Sequence, residues 1–186
     1  MAFPLDGGRN ERNVGIVVAG GIAPGVNAVI DGIVQRHWAY AGGPQRNNHA
    51  LRILGYINGF HALDTDFPPT VGLIPDSNYP IHLEALETTE HANKGGSILG
   101  TYRLNKLLKV NNRDETLRAI VNRLAGIDIL YTIGGDGTMK AAYAVWITAK
   151  ETPERRSKPL SVVAIPKTMD NDIYRSHLIF SLRRRV

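Results

Sequence analysis

The sequence contains no cysteine, no long apolar run and few aromatic residues. The absence of cysteine excludes disulfides, thiolate metal ligands and cysteine nucleophiles, and it fits a reducing, cytoplasmic location. No apolar run approaches the roughly 20 residues that a membrane-spanning helix needs, so no membrane partner is expected. Aromatic residues make up 7% of the chain, and they form no aromatic-interleaved basic stripe of the kind that stacks nucleic-acid bases.

The basic character of the chain is confined to one end. The net charge is +5, but the last 14 residues, 173–186, carry four arginines and no acidic residue, so the rest of the chain has a charge of only +1. The run Arg183-Arg184-Arg185 is the main local feature that favours nucleic acid. A nearly neutral body argues against it, and we expect no nucleic-acid partner.

The most informative stretch is residues 129–138, where an apolar, β-branched run breaks into glycines around Asp136. This pattern indicates a buried strand followed by a tight turn whose N–H groups approach a bound anion. Thr138 is expected to cap a helix over residues 139–150, and the positive end of that helix would face the same anion. A carboxylate beside phosphate is better suited to Mg²⁺ than to direct contact, so Asp136 is a candidate metal ligand.

Strands and helices alternate along the remaining sequence. Apolar runs predict strands over residues 14–19, 51–56 and 160–165, the last as a buried strand, and periodic apolar positions predict helices over residues 26–41 and 114–124. Between residues 61 and 93 the pattern is weaker; a short strand over residues 71–74 and a helix over residues 82–91 are expected. Such alternation is typical of an α/β fold with a parallel sheet.

Polar segments follow three of the predicted strands, and ligands of open parallel sheets bind at the carboxyl ends of the strands. Residues 20–25 supply backbone donors at a helix start, and Asp136 supplies a metal ligand. Arg103 supplies positive charge after a second glycine-rich segment, and Asp170 supplies a carboxylate that can take a proton from a hydroxyl. Together these functions are the ones that phosphoryl transfer requires.

Four segments in this order, residues 15–27, 95–103, 134–138 and 166–172, resemble the amino-terminal half of the phosphofructokinase family, which phosphorylates fructose 6-phosphate from ATP or pyrophosphate. The resemblance implies a doubly wound, mostly parallel α/β sheet. It places the phosphoryl-donor domain at residues 14–173, between a flexible terminus, residues 1–13, and a divergent basic tail, residues 174–186. Full-length members are expected to be homo-oligomers.

The resemblance also assigns roles to individual residues. Asp136 would ligate Mg²⁺, Asp170 would be the base that accepts the proton of the sugar hydroxyl, and Arg103 and Lys167 would support catalysis. The remaining implied contacts fall into two groups: donor contacts at Gly20, Gly21, Arg103, Gly135, Asp136, Gly137 and Thr138, and substrate contacts at Thr168, Met169, Asp170 and Asp172.

Two residues bear on the identity of the donor. In the family, Gly after the metal-binding Asp is usual in ATP users, where a carboxylate would crowd the α-phosphate, so Gly137 favours ATP. Lys between Pro and Thr of the last segment is usual in pyrophosphate users, so Lys167 favours pyrophosphate. We favour ATP, because Gly137 leaves room for the nucleotide and Lys167 does not exclude it.

The sequence departs from the family pattern in two places. Ile22 stands where many members have an acidic residue. After residue 173 the chain diverges and stops, without the arginines and histidine that hold fructose 6-phosphate in the family. We therefore expect a C-terminally truncated domain with weak activity or none, and a non-catalytic nucleotide-binding fragment is the alternative from another class. NAD kinases and lipid kinases share the Gly-Gly-Asp-Gly-Thr run, but residues 166–172 argue against them.

Overall fold

The computed structural model describes residues 12–43, 51–79, 85–102, 112–152 and 158–167. In these ranges the strands are β1 (Arg12–Val18), β2 (Leu51–Tyr56), β3 (Thr70–Ile74), β4 (Leu86–Glu87), β5 (Ile129–Gly134) and β6 (Ser161–Pro166). The α-helices are α1 (Val26–Tyr40), α2 (Arg113–Arg123) and α3 (Asp136–Glu151), and two short 3-10 helices span Gly59–Asp64 and Thr89–His91.

The strands form one sheet in the order β4-β3-β2-β1-β5-β6. Strand β1 lies in the centre and runs parallel to both β2 and β5, and β6 runs parallel to β5. Strand β3 is antiparallel to β2 and parallel to the two-residue β4. The prediction of a mostly parallel sheet is therefore confirmed, with one antiparallel pair.

The helices cover opposite faces of this sheet. Alternating residues of β1 divide between two cores: Val14, Ile16 and Val18 pack with α1, whereas Val17 packs with α2 and α3. Side chains that alternate along a strand point to opposite faces, so a continuous apolar run such as β1 requires cover on both sides. The doubly wound arrangement follows from that requirement.

The change of helix face occurs between β1 and β5. The connection after β1 leads through α1 to β2 on one side, whereas β5 lies on the other side of β1 and leads into α3 on the opposite face. Connections that diverge in this way leave a crevice at the carboxyl ends of the two strands, which is where ligands bind in open α/β sheets. Both glycine-rich turns highlighted by the sequence lie at this crevice.

Most predicted elements are confirmed to within one to three residues at their ends, but three expectations are wrong. The predicted helix over residues 82–91 is instead strand β4 and a 3-10 helix where the structure describes it, from residue 85 onward. Strand β6, predicted as buried, is an edge strand of the sheet formed by the described residues, and its Val163 is 39% exposed. Arg12 and Asn13, assigned to the flexible terminus, already belong to β1, where the Asn13 N–H donates to Asp128 Oδ2 at 2.8 Å.

Within the part of the chain that the structure describes, no helix is both long enough and apolar enough to cross a bilayer.

Candidate functional site

The loop after β1 is held against the end of β5. The Ala19 N–H continues the sheet pairing by donating to the Ile133 carbonyl at 2.8 Å, and Gly20 then adopts a φ of 96°. That left-handed conformation strains any residue with a Cβ, so Gly20 is required by the turn. A Cβ at Gly20 would lie 3.7 Å from the Gly135 nitrogen, so the two glycine-rich turns face each other.

The turn after β5 leads directly into α3, which begins at Asp136 with Gly135 as its N-cap residue. The prediction that Thr138 caps this helix is wrong. Thr138 lies inside the first turn, and its hydroxyl donates to the Ala19 carbonyl at 3.3 Å. The backbone N–H groups of Thr138 and Met139 both donate to the Gly135 carbonyl. The threonine therefore fastens α3 to the end of β1, and the positive end of the helix still opens on the crevice.

Asp136 is the carboxylate of this turn, and it is 54% exposed. Its Oδ2 forms an ion pair with Lys140 Nζ, 2.7 Å away and one helical turn further along α3. Among the described residues, no three His, Cys, Asp or Glu side chains gather into a metal site. A single exposed carboxylate suits Mg²⁺, which is commonly bound through one or two carboxylates and shares its remaining positions with water and phosphate oxygens. The exposed ion pair is weak and leaves the carboxylate available for exchange.

Lys167 joins both turns from the end of β6. Its backbone N–H donates to the Gly134 carbonyl at 2.7 Å, and its ammonium donates to the Gly21 carbonyl. The ammonium is thus directed at the loop that the sequence predicted to receive phosphate. The sequence did not predict the contact between Lys167 and Gly21, because these residues lie 146 positions apart in the chain.

The second glycine-rich segment also reaches this edge of the sheet. The Thr101 hydroxyl donates to the Gly20 carbonyl at 2.7 Å, and the Asn27 side chain bonds to the backbone of Lys94 and Ile98. The expectation that this segment joins the other loops is confirmed up to Tyr102. Asn27, Thr101 and Lys140 were not among the predicted site residues. For Asn27 one sequence signal was available, because it is a polar residue on the apolar stripe of α1.

The structure brings together the predicted residues of the two turns and Lys167: Gly20, Gly21, Gly135, Asp136, Gly137, Thr138 and Lys167. The other predicted site residues, Arg103, Thr168, Met169, Asp170 and Asp172, lie outside the described residues. The described part of the site combines backbone donors, the Asp136 carboxylate and the ammonium groups of Lys140 and Lys167. Those groups can bind a polyphosphate together with a divalent cation.

The Phosphofructokinase family model matches residues 13–180, nearly the whole chain. The chain belongs to the phosphofructokinase family. Among its relatives are the ATP-dependent 6-phosphofructokinase of Entamoeba histolytica, which is 32% identical over 173 residues, and the pyrophosphate–fructose 6-phosphate 1-phosphotransferase of Naegleria fowleri, which is 34% identical over 168 residues. The alignments cover 93% and 89% of this chain but only 33% and 32% of these relatives. The chain thus spans about a third of the length of these relatives.

Solved structures agree on the fold. The pyrophosphate-dependent phosphofructokinase from Nitrosospira multiformis superposes with a TM-score of 0.61 over 89% of this chain and 36% of its own, at 18% identity. The phosphofructokinase from Saccharomyces cerevisiae gives a TM-score of 0.60 over 91% of this chain and 21% of its own, at 19% identity. The doubly wound sheet is therefore the phosphofructokinase fold.

Proposed function

We propose that this chain forms the phosphoryl-donor domain, residues 14–173, of a 6-phosphofructokinase-type phosphotransferase. The reaction transfers a phosphoryl group from the donor to the 1-hydroxyl of fructose 6-phosphate. The observation that carries the proposal is the convergence of the turns after β1 and β5 with Lys167 at the point where the sheet changes helix face. Membership of the family supports the reaction type.

The donor phosphates are proposed to lie in the crevice between the two turns. The backbone of Gly20 faces the start of α3, Gly21 lies beside the Lys167 ammonium, and the positive end of α3 favours an anion. Asp136 would hold Mg²⁺, which supplies charge neutralisation to the donor phosphates when bound. Gly137 follows the carboxylate and has no side chain that could crowd a donor bound beside Asp136.

The acceptor chemistry is assigned to residues that the family resemblance identifies. Asp170 would take the proton of the 1-hydroxyl as the sugar oxygen forms its bond to phosphorus and the donor's bridging P–O bond breaks. Arg103 would offset the charge of the transferring group, with Thr168, Met169 and Asp172 beside the sugar. The leaving group is ADP from ATP, or phosphate from pyrophosphate.

ATP is the proposed donor, because Gly137 leaves room at the α-phosphate. Pyrophosphate is the second candidate, and one specific observation favours it: the Lys167 ammonium is directed at the Gly21 carbonyl, inside the donor loop. A cation in this position can hold the smaller donor without help from a nucleoside. Relatives carrying either donor in their names match this chain at similar identity.

The donor site is tested by calorimetric titration of the purified 186-residue chain with Mg·ATP and, separately, with Mg·pyrophosphate. We expect ATP to bind, and Asp136→Asn to weaken binding by about tenfold or more because one metal ligand is lost. Glu151→Gln is the control, since it removes a carboxylate from the opposite end of α3, about 22 Å away. A preference for pyrophosphate would make Lys167 the deciding residue, and a folded chain that binds neither donor would overturn the proposal.

Turnover is tested separately, by following phosphorylation of fructose 6-phosphate in the wild type and in Asp170→Asn. This chain spans about a third of the length of its relatives, and its sequence shows no counterpart of the residues that hold fructose 6-phosphate in the family. Because substrate positioning supplies several orders of magnitude of rate, we expect this chain alone to be weakly active or inactive. Weak turnover that Asp170→Asn abolishes would support the assigned base. Donor binding without sugar-dependent turnover would support the alternative of a non-catalytic nucleotide-binding fragment.

A further inference from the structure

Asn27 is a polar side chain in a position that an apolar residue would ordinarily occupy. It lies in the first turn of α1, is 1% exposed, and shares the buried stripe of that helix with Val26, Ile30 and Val34. A buried amide destabilises the fold unless its donor and acceptor are both satisfied. The hydrogen-bond partners of Asn27 therefore indicate its structural role.

Both partners belong to one loop, far away in sequence. Asn27 Nδ2 donates to the Lys94 carbonyl at 2.9 Å, and Asn27 Oδ1 accepts from the Ile98 N–H at 2.9 Å. The two bonds flank Gly95 and Gly96, so one side chain bridges the base of this glycine-rich turn. Neither bond stabilises α1 itself; both fix the loop.

The same loop has two further points of attachment. The Thr101 hydroxyl donates to the Gly20 carbonyl at 2.7 Å, and the Leu99 carbonyl accepts from the Asn58 N–H at 2.7 Å beneath the fully buried Leu99 side chain. Asn27 and Gly20 lie on either side of residues 21–26. The segment from Lys94 to Thr101 is thereby fastened to both ends of the proposed donor loop.

We propose that Asn27 is a positioning residue of the donor site: its side-chain amide sets the distance between residues 94–101 and the loop at residues 20–25. This inference rests on the proposed function and deepens it. Asn27 does not touch the donor. It acts through the two loops: without its two bonds, the Lys94–Ile98 end of the segment would lose its attachment to α1, and only the bonds of Leu99 and Thr101 would hold the segment near the crevice.

The chemistry of the contact requires an amide of this length. Asp would keep the acceptor for the Ile98 N–H but would place a carboxylate oxygen against the Lys94 carbonyl oxygen. Ala would remove both bonds and leave a cavity, and Gln would carry the amide one methylene too far. Asn27→Asp therefore keeps the bond from the Ile98 N–H and loses the bond to the Lys94 carbonyl, whereas Asn27→Ala removes both bonds.

The experiment measures donor affinity and loop protection in the same chains. Titration with Mg·ATP and Mg·pyrophosphate should show affinity reduced by about tenfold or more in Asn27→Ala and at least as much in Asn27→Asp, because Asp buries a carboxylate against the Lys94 carbonyl oxygen. Hydrogen exchange at the Ile98 amide should accelerate in Asn27→Ala, which removes the acceptor of that amide. A residue that only stabilises the fold would lower thermal stability without weakening donor affinity in the folded chain.

Asp31→Ala is the matched control. Asp31 is also a buried polar residue on α1, one turn further on, but it accepts hydrogen bonds from Thr88, Thr89 and Gln35, away from the donor loop. It should lower thermal stability without weakening donor affinity. Equal donor affinity in wild type and in both Asn27 variants would overturn the inference.

Thr101→Val tests the same loop if the Asn27 variants do not fold. This change removes only the hydroxyl that reaches the Gly20 carbonyl, at a partly exposed position, and it should also weaken donor binding. Unchanged affinity in a folded Thr101→Val would count against the inference. If the wild type binds neither donor, the proposed function fails first, and the exchange data then report separately on the Asn27 contact.

Discussion

Thr132 and Thr138 place the same hydroxyl group in two different surroundings. Thr132 Oγ1 on β5 is fully buried and has no hydrogen-bond partner among the described residues, whereas Thr138 Oγ1 donates to the Ala19 carbonyl. An unsatisfied buried hydroxyl destabilises a fold, and a satisfied one stabilises it. We expect Thr132→Val to raise the free energy of unfolding by about 1 kcal/mol and Thr138→Val to lower it by about 1 kcal/mol. Urea denaturation of both variants checks this, and shifts of the same sign would contradict it.

His37 makes stability depend on pH. Burial, with a smaller contribution from the charge of Arg12, lowers the pKa of His37 below its ordinary value of 6.5. Its ring nitrogen lies 3.0 Å from the Tyr131 hydroxyl, whose own pKa is raised by burial, so the neutral pair is the folded form. The unfolded chain takes up a proton near pH 6.5 and the folded chain resists it. The free energy of unfolding therefore falls as the pH drops below about 6.5.

We expect His37→Gln to lose less stability than the wild type between pH 7.5 and pH 5.5, because the buried titrating group is gone. Urea denaturation at the two pH values measures the difference. His91→Gln is the control, since that ring contacts the Lys94 ammonium at the surface. A pH dependence that His37→Gln leaves unchanged would show that other groups cause it.

At the scale of elements, the junction of β1, β5 and α3 has no room for a side chain at Gly134. A Cβ there would overlap the Ala19 carbonyl oxygen and the Thr138 hydroxyl. We expect Gly134→Ala to cost about 3 kcal/mol or more and to weaken donor binding, because the two turns must move apart. Gly32→Ala is the control, because a Cβ at that position in α1 meets nothing within 4 Å. It should stabilise the chain by roughly 0.5–1 kcal/mol, and chemical denaturation with donor titration distinguishes the two variants.

The elements that sequence predicted well are those with strong local patterns. Strand β2 and helices α1 and α2 carry their periodicity and end signals within one segment, so their bounds followed from the residues alone. The helix expected over residues 82–91 failed because Leu86 and Glu87 pair with β3, a tertiary contact that overrides a weak helical pattern. The prediction that β6 is a buried strand was wrong for a related reason. Its apolar composition shows that the strand suits a buried position, but not whether a neighbouring element covers it.

At the scale of the whole molecule, the site could be predicted only as a set of loops at one sheet edge. Because ligands of open parallel sheets bind at the carboxyl ends of strands, the sequence pattern alone predicts that Gly20, Asp136 and Lys167 lie together. The contacts that fix the loops to one another, from Asn27 to Lys94 and from Thr138 to Ala19, join residues 67 and 119 positions apart. No local pattern encodes such pairs, because each depends on how two separately formed turns meet.

The outer edge of the sheet has consequences for association. Strand β6 ends the sheet, carries no charged residue over Ser161–Pro166 and exposes Val163, and no described strand pairs with its outer side. An uncharged, apolar edge strand is a template for pairing with another chain. Beside it, Ile133 and Ile165 line an open cavity of about 290 Å³ against the start of α1. This face should therefore drive concentration-dependent self-association.

We expect Val163→Lys to reduce that association without loss of stability, because a charge on the exposed side of an edge strand opposes strand pairing. Sedimentation velocity over a range of protein concentrations measures the effect. Val162→Lys is the matched control one residue away, where the side chain faces the opposite way and packs against the core under α2 and α3. It should unfold the chain at lower urea concentration, because it directs a charge into that core. If Val163→Lys associates as strongly as the wild type, self-association must use another surface.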